Sequence, residues 1–172
     1  MSKITVIGAG SVGATIANDL MVQGIASEIV LIDINKEKAF GEALDIYQAA
    51  PFCSPAIVRC GDYPDATDSD IVVITSGVAR KPGQSRLDLA QTNVNILKDI
   101  TPNIVKVAPK AVYIIVSNPV DILTYVFSKI SGLPEHQIMG SGTILDTSPV
   151  HIGAGAFIAP GVCLSCAGHS ID

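Results

Sequence analysis

A short β-branched apolar run, Lys3 to Ile7, passes without a spacer into Gly8-Ala9-Gly10-Ser11-Val12-Gly13, and helical spacing follows from Ala14 to Met21. A G-x-G-x-x-G placed between a strand and a helix leaves few folds open. Gly8 admits the tight turn, Gly10 lets backbone approach a pyrophosphate, and Gly13 lets the helix lie close on the strand, with the helix N-terminus facing phosphate charge. A second strand, Glu28 to Ile32, ends in Asp33, twenty residues past Gly13. A carboxylate there accepts the ribose hydroxyls of NAD and repels the 2′-phosphate of NADP. The alternative is an ordinary glycine turn, with Asp33 capping a helix from Asn35 onward.

Strand and helix then alternate. Lys36 to Ala50 carries Ala39, Ala43, Leu44 and Ile46 to Tyr47 at helical spacing, stopped by Pro51. Ala56 to Cys60 reads as a strand closed by a turn at Gly61-Asp62-Tyr63, and Asp70 to Thr75 as a fourth strand. Gly77 to Arg86 is a cationic, glycine-bracketed loop, either a solvated surface loop or a lid over an anion. Helical spacing resumes through Leu89, Val94, Ile96, Leu97 and Ile100, where Pro102 either breaks the helix or starts a short second one ending near Pro109. Ala111 to Val116 is a fifth strand running into Ser117-Asn118-Pro119-Val120-Asp121, a helix reaches about Ser131 with Gly132 as its cap, and Gln137 to Met139 is a sixth strand. This order predicts an α/β fold: a doubly wound, parallel six-stranded sheet of the Rossmann type. Its ligand lies across the carboxyl ends of the strands where strand order reverses, so the loops after strands one, four and five share a cleft.

Composition narrows the partners. With 48% apolar and 16% charged residues and a net charge of −5, the chain suits a sheet covered on both faces and has no basic footprint, so neither nucleic acid nor an anionic membrane is an expected partner. No apolar run reaches the length of a spanning helix and the N-terminus enters a strand directly, which predicts a cytoplasmic protein. Cys163 and Cys166 form a lone C-x-x-C with no second pair or spaced histidines, so no metal site is expected and reduced cysteines are the default.

Four motifs in order carry a resemblance to the lactate/malate dehydrogenase family, and within it to the L-lactate branch. They are Gly8 to Gly13, Lys81-Pro82-Gly83-Gln84-Ser85-Arg86-Leu87-Asp88-Leu89, Val116 to Tyr125, and Gly140-Ser141-Gly142-Thr143-Ile144-Leu145-Asp146. The resemblance covers residues 1–147, an NAD-binding domain, and implies hydride transfer between NAD and a small 2-hydroxy or 2-oxo acid by a cytoplasmic enzyme whose full-length relatives are homotetramers. It implies that Arg86 polarises the substrate carbonyl, that Asn118 contacts substrate and the nicotinamide side, and that Asp146 orients a catalytic histidine. For the cofactor it implies Gly8, Gly10, Val12, Gly13, Asp33, Lys38, Tyr63, Gly77, Val78, Val116, Asn118 and Thr143. Lys38 and Tyr63 read equally well as surface residues.

Arg80 holds the lid position that is commonly glutamine in the lactate enzymes and arginine in the malate enzymes, where an arginine pairs with a second substrate carboxylate. Read alone it points to oxaloacetate; the Ser117 to Tyr125 and Gly140 to Thr143 segments point to the lactate branch.

After Thr147 the resemblance stops. Pro149 stands where the family has a substrate-clamping arginine. A histidine is expected about 27 residues past Asp146, and neither His169, His151 nor His136 has the matching surroundings. Residues 148–172 contain no Lys, Arg or Glu and form an atypical tail, which reads as a reading-frame change or cloning junction with the substrate domain missing. This predicts dinucleotide binding without turnover. A non-catalytic NAD-binding module is the reading from another class, although such a module has no need of Arg86, Asn118 and Asp146 together.

Overall fold

The computed structural model describes residues 2–79, 83 and 85–141, and of Arg86 the backbone only. Six strands, β1 (Lys3–Ile7), β2 (Glu28–Ile32), β3 (Ile57–Cys60), β4 (Ile71–Ile74), β5 (Val112–Ile115) and β6 (Ile138–Gly140), form one sheet in the order β3-β2-β1-β4-β5-β6. Every pairing is parallel, with Ile7 opposite both Ile32 and Ile74, and Ile74 opposite Ile115. The predicted doubly wound sheet is therefore present. Its order reverses between β1 and β4, which brings the loops after those two strands side by side.

The helices are α1 (Ser11–Val22), α2 (Lys36–Tyr47), α3 (Arg86–Val107) and α4 (Val120–Ser131). Successive strand residues point to opposite faces, and the core divides accordingly. On one face Ile4, Val6, Ile29, Leu31 and Val58 meet Ala17 and Met21 of α1 and Ala39, Ala43 and Ile46 of α2. On the other, Val30, Ile32, Val72, Ile74, Tyr113 and Ile115 meet Leu97, Ile100 and Ile104 of α3 and Leu123 and Phe127 of α4. Burial on both faces is why these strands are nearly unbroken apolar runs rather than alternating ones.

Several predicted boundaries move. Helix α1 begins at Ser11 rather than Ala14, so Gly13 lies inside its first turn. The turn after β3 is a short 3-10 segment, Tyr63–Ala66, held by reciprocal bonds between Asp62 and Asp65. Neither expectation for Pro102 holds: α3 runs through it without a break. Pro102 removes only the N–H that would meet the Lys98 carbonyl, and the neighbouring turns are reinforced by side chains, Thr101 Oγ1 donating to the Leu97 carbonyl at 2.7 Å and Asn103 Nδ2 to the Asp99 carbonyl at 2.8 Å. Burial of Leu97, Ile100 and Ile104 on the sheet outweighs the roughly 3 kcal/mol that proline costs a helix interior. Arg86, predicted in the loop, is the first residue of α3, because Ser85 caps that helix and accepts from the Asp88 N–H at 3.1 Å.

Candidate dinucleotide site

The glycine loop is built by crowding on one side and space on the other. Gly8 has φ +107°, and a Cβ there would lie 2.7 Å from Thr75 Oγ1 and 2.8 Å from the Ser76 nitrogen. A Cβ on Gly13 would lie 1.8 Å from the Gly8 carbonyl oxygen. Around Gly10 nothing falls within 4 Å of the corresponding position. The loop is thus closed towards β4 and open towards solvent, where α1 begins. Gly10 is the N-cap of α1 and has no side chain with which to cap it, so the helix presents its first-turn N–H groups beside open space. Thr75 secures the turn by donating to the Gly8 carbonyl at 2.9 Å. Val12, in the first turn of α1, is 55% exposed despite being apolar.

Asp33 stands at the end of β2 and is already tied to this loop. Its Oδ2 accepts from the Ala9 N–H at 2.7 Å and its Oδ1 from the Asn35 N–H at 2.8 Å. The cap of α2 is Asn35, which accepts from the Lys38 N–H at 3.0 Å, so the alternative of Asp33 as that cap does not hold. Beside a turn with space for a diphosphate, the carboxylate retains acceptor capacity for a diol. The chain therefore has the cradle and the carboxylate that an adenosine diphosphate moiety needs.

The other predicted residues divide into two groups. Lys38 is exposed in the first turn of α2, and its side chain makes no hydrogen bond among the described residues. Tyr63 follows β3, half-buried against the core, and burial pushes its phenol upward with the negative charge of Asp99 adding to the shift. Its loop is pinned from β3: Arg59 donates to Glu28 Oε1 at 2.9 Å and to Asp65 Oδ1 at 2.8 Å. Asp65 is held below the ordinary carboxylate range first by the Asp62 N–H and then by Arg59.

Gly77, Val78, Val116 and Asn118 form the second group, at the carboxyl ends of β4 and β5. Val116 donates to the Ile74 carbonyl at 2.9 Å, and Ser117 Oγ donates to the Ser76 carbonyl at 2.6 Å, so the two loops are stitched together. Asn118 is exposed at the mouth of the cleft, and its peptide to Pro119 is cis.

Thr75, Ser117 and a buried asparagine, Asn93, were not singled out from sequence, although all three shape these loops. A buried polar residue in an apolar helix face, as Asn93 is, was the available signal. Arg80, Thr143, Asp146, Cys163, Cys166, His151 and His169 lie outside the described residues, as does the Arg86 side chain.

Among the described residues no group of three His, Cys, Asp or Glu could hold a metal ion, and no helix is long and apolar enough to cross a membrane. A hollow of about 740 Å³ lies near the amino ends of β2 and β3, lined by Ser27, Tyr47, Pro51 and Ile57 among others. Its lining is largely apolar and carries no charged side chain, so the loops at the carboxyl ends of the strands, with the glycine turn and Asp33, are the candidate site rather than this hollow.

Known proteins agree with this geometry. Residues 2–140 match the family described as "lactate/malate dehydrogenase, NAD binding domain". An L-lactate dehydrogenase of Thermoanaerobacter sp. (strain X514) is 57% identical over 148 residues, which are 86% of this chain and 48% of that protein. Among solved structures, a minor L-lactate dehydrogenase from Enterococcus mundtii in a ligand-bound form superposes with a TM-score of 0.79 at 41% identity, covering 83% of this chain and 46% of that one. The malate dehydrogenase of Archaeoglobus fulgidus in complex with NADH gives 0.77 at 43% identity, over 81% of this chain and 48% of that one. The chain thus spans about half the length of the relatives it matches. With its switch-point cleft, its glycine cradle and this similarity, the chain belongs to the lactate/malate dehydrogenase family, of which it carries the NAD-binding domain.

Proposed function

We propose that this chain is the cofactor-binding part of an NAD-dependent L-lactate dehydrogenase, interconverting pyruvate and lactate when joined to the remaining half of such an enzyme. The observation that supports the lactate branch most is the 57% identity with an L-lactate dehydrogenase over 148 residues. In this reading residues 1–147 form the cofactor domain. Gly8, Gly10, Val12 and Gly13 receive the pyrophosphate at the start of α1, Asp33 the adenosine ribose, Lys38 and Tyr63 the adenosine side, and Gly77, Val78, Val116, Asn118 and Thr143 the nicotinamide half. The bound cofactor supplies the hydride. The chain's own groups act on the acceptor: the Arg86 cation stabilises the negative charge that develops on the carbonyl oxygen, Asn118 orients the acceptor by hydrogen bonding, and Asp146 supports the imidazolium of a proton donor.

Neither the carboxylate-clamping arginine nor a matching histidine occurs among these 172 residues, so the isolated polypeptide is expected to bind dinucleotide without turning over pyruvate. The cytoplasmic setting and homotetrameric assembly are part of the same proposal, resting on the family. A second reading, malate dehydrogenase, is favoured by Arg80 alone, whose guanidinium suits a second substrate carboxylate.

Grafting residues 1–147 onto the substrate half of an L-lactate dehydrogenase, and assaying pyruvate against oxaloacetate, separates the two. Preference for pyruvate supports the lactate reading. Preference for oxaloacetate that Arg80→Gln reverses would replace it with the malate reading.

A further inference from the structure

Asn93 lies on α3 at 3% exposure, and its carboxamide is engaged with the backbone of both second-group loops. Oδ1 accepts from the Val78 N–H at 2.9 Å, while Nδ2 donates to the Asn118 carbonyl at 2.7 Å and approaches the Val78 carbonyl at 3.4 Å. Gly77 closes over the same amide: a Cβ there would sit 3.3 Å from Cγ, Oδ1 and Nδ2 alike. One buried side chain therefore bonds Val78 and Asn118 and lies under Gly77 with little room for a Cβ between them. These three residues come from the loops after β4 and β5, the half of a doubly wound sheet that takes the second mononucleotide. Asp33 and the glycine loop belong to the first half and do not contact Asn93 through any described hydrogen bond.

We propose that Asn93 is a positioning residue for the nicotinamide half of the cofactor. Its carboxamide fixes the separation of the Gly77-Val78 and Asn118 loops, and so the place where the nicotinamide ribose and ring lie, without itself touching the cofactor. Both amide N–H groups already face carbonyls, which leaves no donor to offer a ligand. An apolar residue would suit packing against the sheet better, since a buried amide is tolerated only when its partners are met. Asparagine is also a poorer helix former than leucine or alanine, so neither packing nor propensity accounts for it at this position.

The inference rests on the NAD reading above and is tested by comparing two ligands. ADP-ribose carries the adenosine and pyrophosphate but no nicotinamide, so it reports the first half of the site alone. NADH and ADP-ribose are titrated calorimetrically into the wild-type chain, Asn93→Ala and Asn93→Asp.

The expected result is that Asn93→Ala weakens NADH by about tenfold or more, as losing the two hydrogen bonds that hold the Val78 N–H and the Asn118 carbonyl implies. Its ADP-ribose affinity stays within about threefold of wild type, as for a distant independent site. Asn93→Asp keeps an acceptor for Val78 but loses the donor to Asn118, and falls between the two on NADH.

ADP-ribose binding also shows that a variant has folded. Equal loss of both ligands in a folded variant, or NADH affinity unchanged, would overturn the proposal. Should Asn93→Ala not fold, a wild-type ratio of the two affinities in Asn93→Asp overturns it. A wild-type chain that binds NADH no more tightly than ADP-ribose overturns it too, because the nicotinamide half would then contribute nothing. If wild type binds neither ligand, the NAD reading itself fails and takes this inference with it.

Discussion

The two glycines Gly13 and Gly10 should fail in opposite ways when each gains a methyl group. In Gly13→Ala the new Cβ would lie 1.8 Å from the Gly8 carbonyl oxygen and 2.8 Å from Thr75 Oγ1. Ordinary non-bonded contact needs about 3.5 Å, so helix and loop must part by more than ~1.5 Å. The obstacle is backbone, held by the Gly8 N–H bond to the Ile32 carbonyl at 2.7 Å, and it cannot swing aside as a side chain would. Overpacking of this kind costs roughly 3 kcal/mol or more, whereas alanine within a helix gains only about 1 kcal/mol over glycine. The net loss is about 2 kcal/mol, which for a chain of this size lowers Tm by roughly 4–8 °C.

Gly10→Ala meets nothing within 4 Å and starts from φ −74°, ψ −179°, a conformation open to alanine. Its stability should stay within about 0.5 kcal/mol of wild type, since lost unfolded-state freedom offsets a poorer cap. The methyl group instead occupies the space assigned to the pyrophosphate, and NADH affinity should fall at least tenfold, or about 1.4 kcal/mol. Thermal unfolding followed by circular dichroism, with NADH calorimetry on the same samples, reads both effects. A Gly13→Ala chain as stable as wild type would refute the steric argument. An unchanged NADH affinity in Gly10→Ala would refute the assignment of that space to phosphate.

The ionisable groups make two further predictions. Asp65 has a lowered pKa, so its contribution is complete above the unfolded value of about 3.9 and is lost as pH falls through the lower folded value. Because the Arg59–Asp65 pair is well exposed, Asp65→Asn should cost no more than about 1 kcal/mol at pH 7, and that difference should vanish in strong acid; urea titrations at pH 7 and pH 2.5 check it, and a constant difference would contradict the assignment. Tyr113 is fully buried, with its phenol pushed well above its usual range by burial and its O–H donating to the Ala108 carbonyl at 2.9 Å. Its stabilisation is complete below about pH 10 and is lost as pH rises through the raised folded value, so Tyr113→Phe should be about 1 kcal/mol less stable at neutral pH yet lose less stability in alkali. Parallel losses in both proteins from pH 9 to pH 11 would contradict this.

The sheet was legible because its strands are buried on both faces and carry unbroken apolar runs such as Ile29 to Ile32, interrupted by turn residues at the right intervals. The glycine cradle was legible because the demands on Gly8 and Gly13 are steric, and only one residue type meets them. Pro102 was misread because proline is a local signal, and the burial of Leu97, Ile100 and Ile104 that overrides it is tertiary. The start of α3 is set by the Ser85–Asp88 capping box, a short polar signal that sits at the end of a cationic, glycine-bracketed loop whose composition is otherwise that of a turn. The place of Asn93 on an apolar helix face is a local signal, but its role is not legible there: it arises from Val78, 15 residues before it, and Asn118, 25 residues after it, and no local pattern connects them.

The most direct measurement is a calorimetric titration of NADH and NADPH into the 172-residue chain and into Asp33→Asn. The account predicts one NADH bound per chain and NADPH weaker by about tenfold or more, because the 2′-phosphate would meet the Asp33 carboxylate. In Asp33→Asn the gap narrows, while NADH itself weakens because the amide keeps only one of the two acceptors that now hold the Ala9 N–H at 2.7 Å and the Asn35 N–H at 2.8 Å. Equal affinity for both dinucleotides in the wild-type chain, or no NADH binding by a chain with a native circular dichroism spectrum, would contradict it.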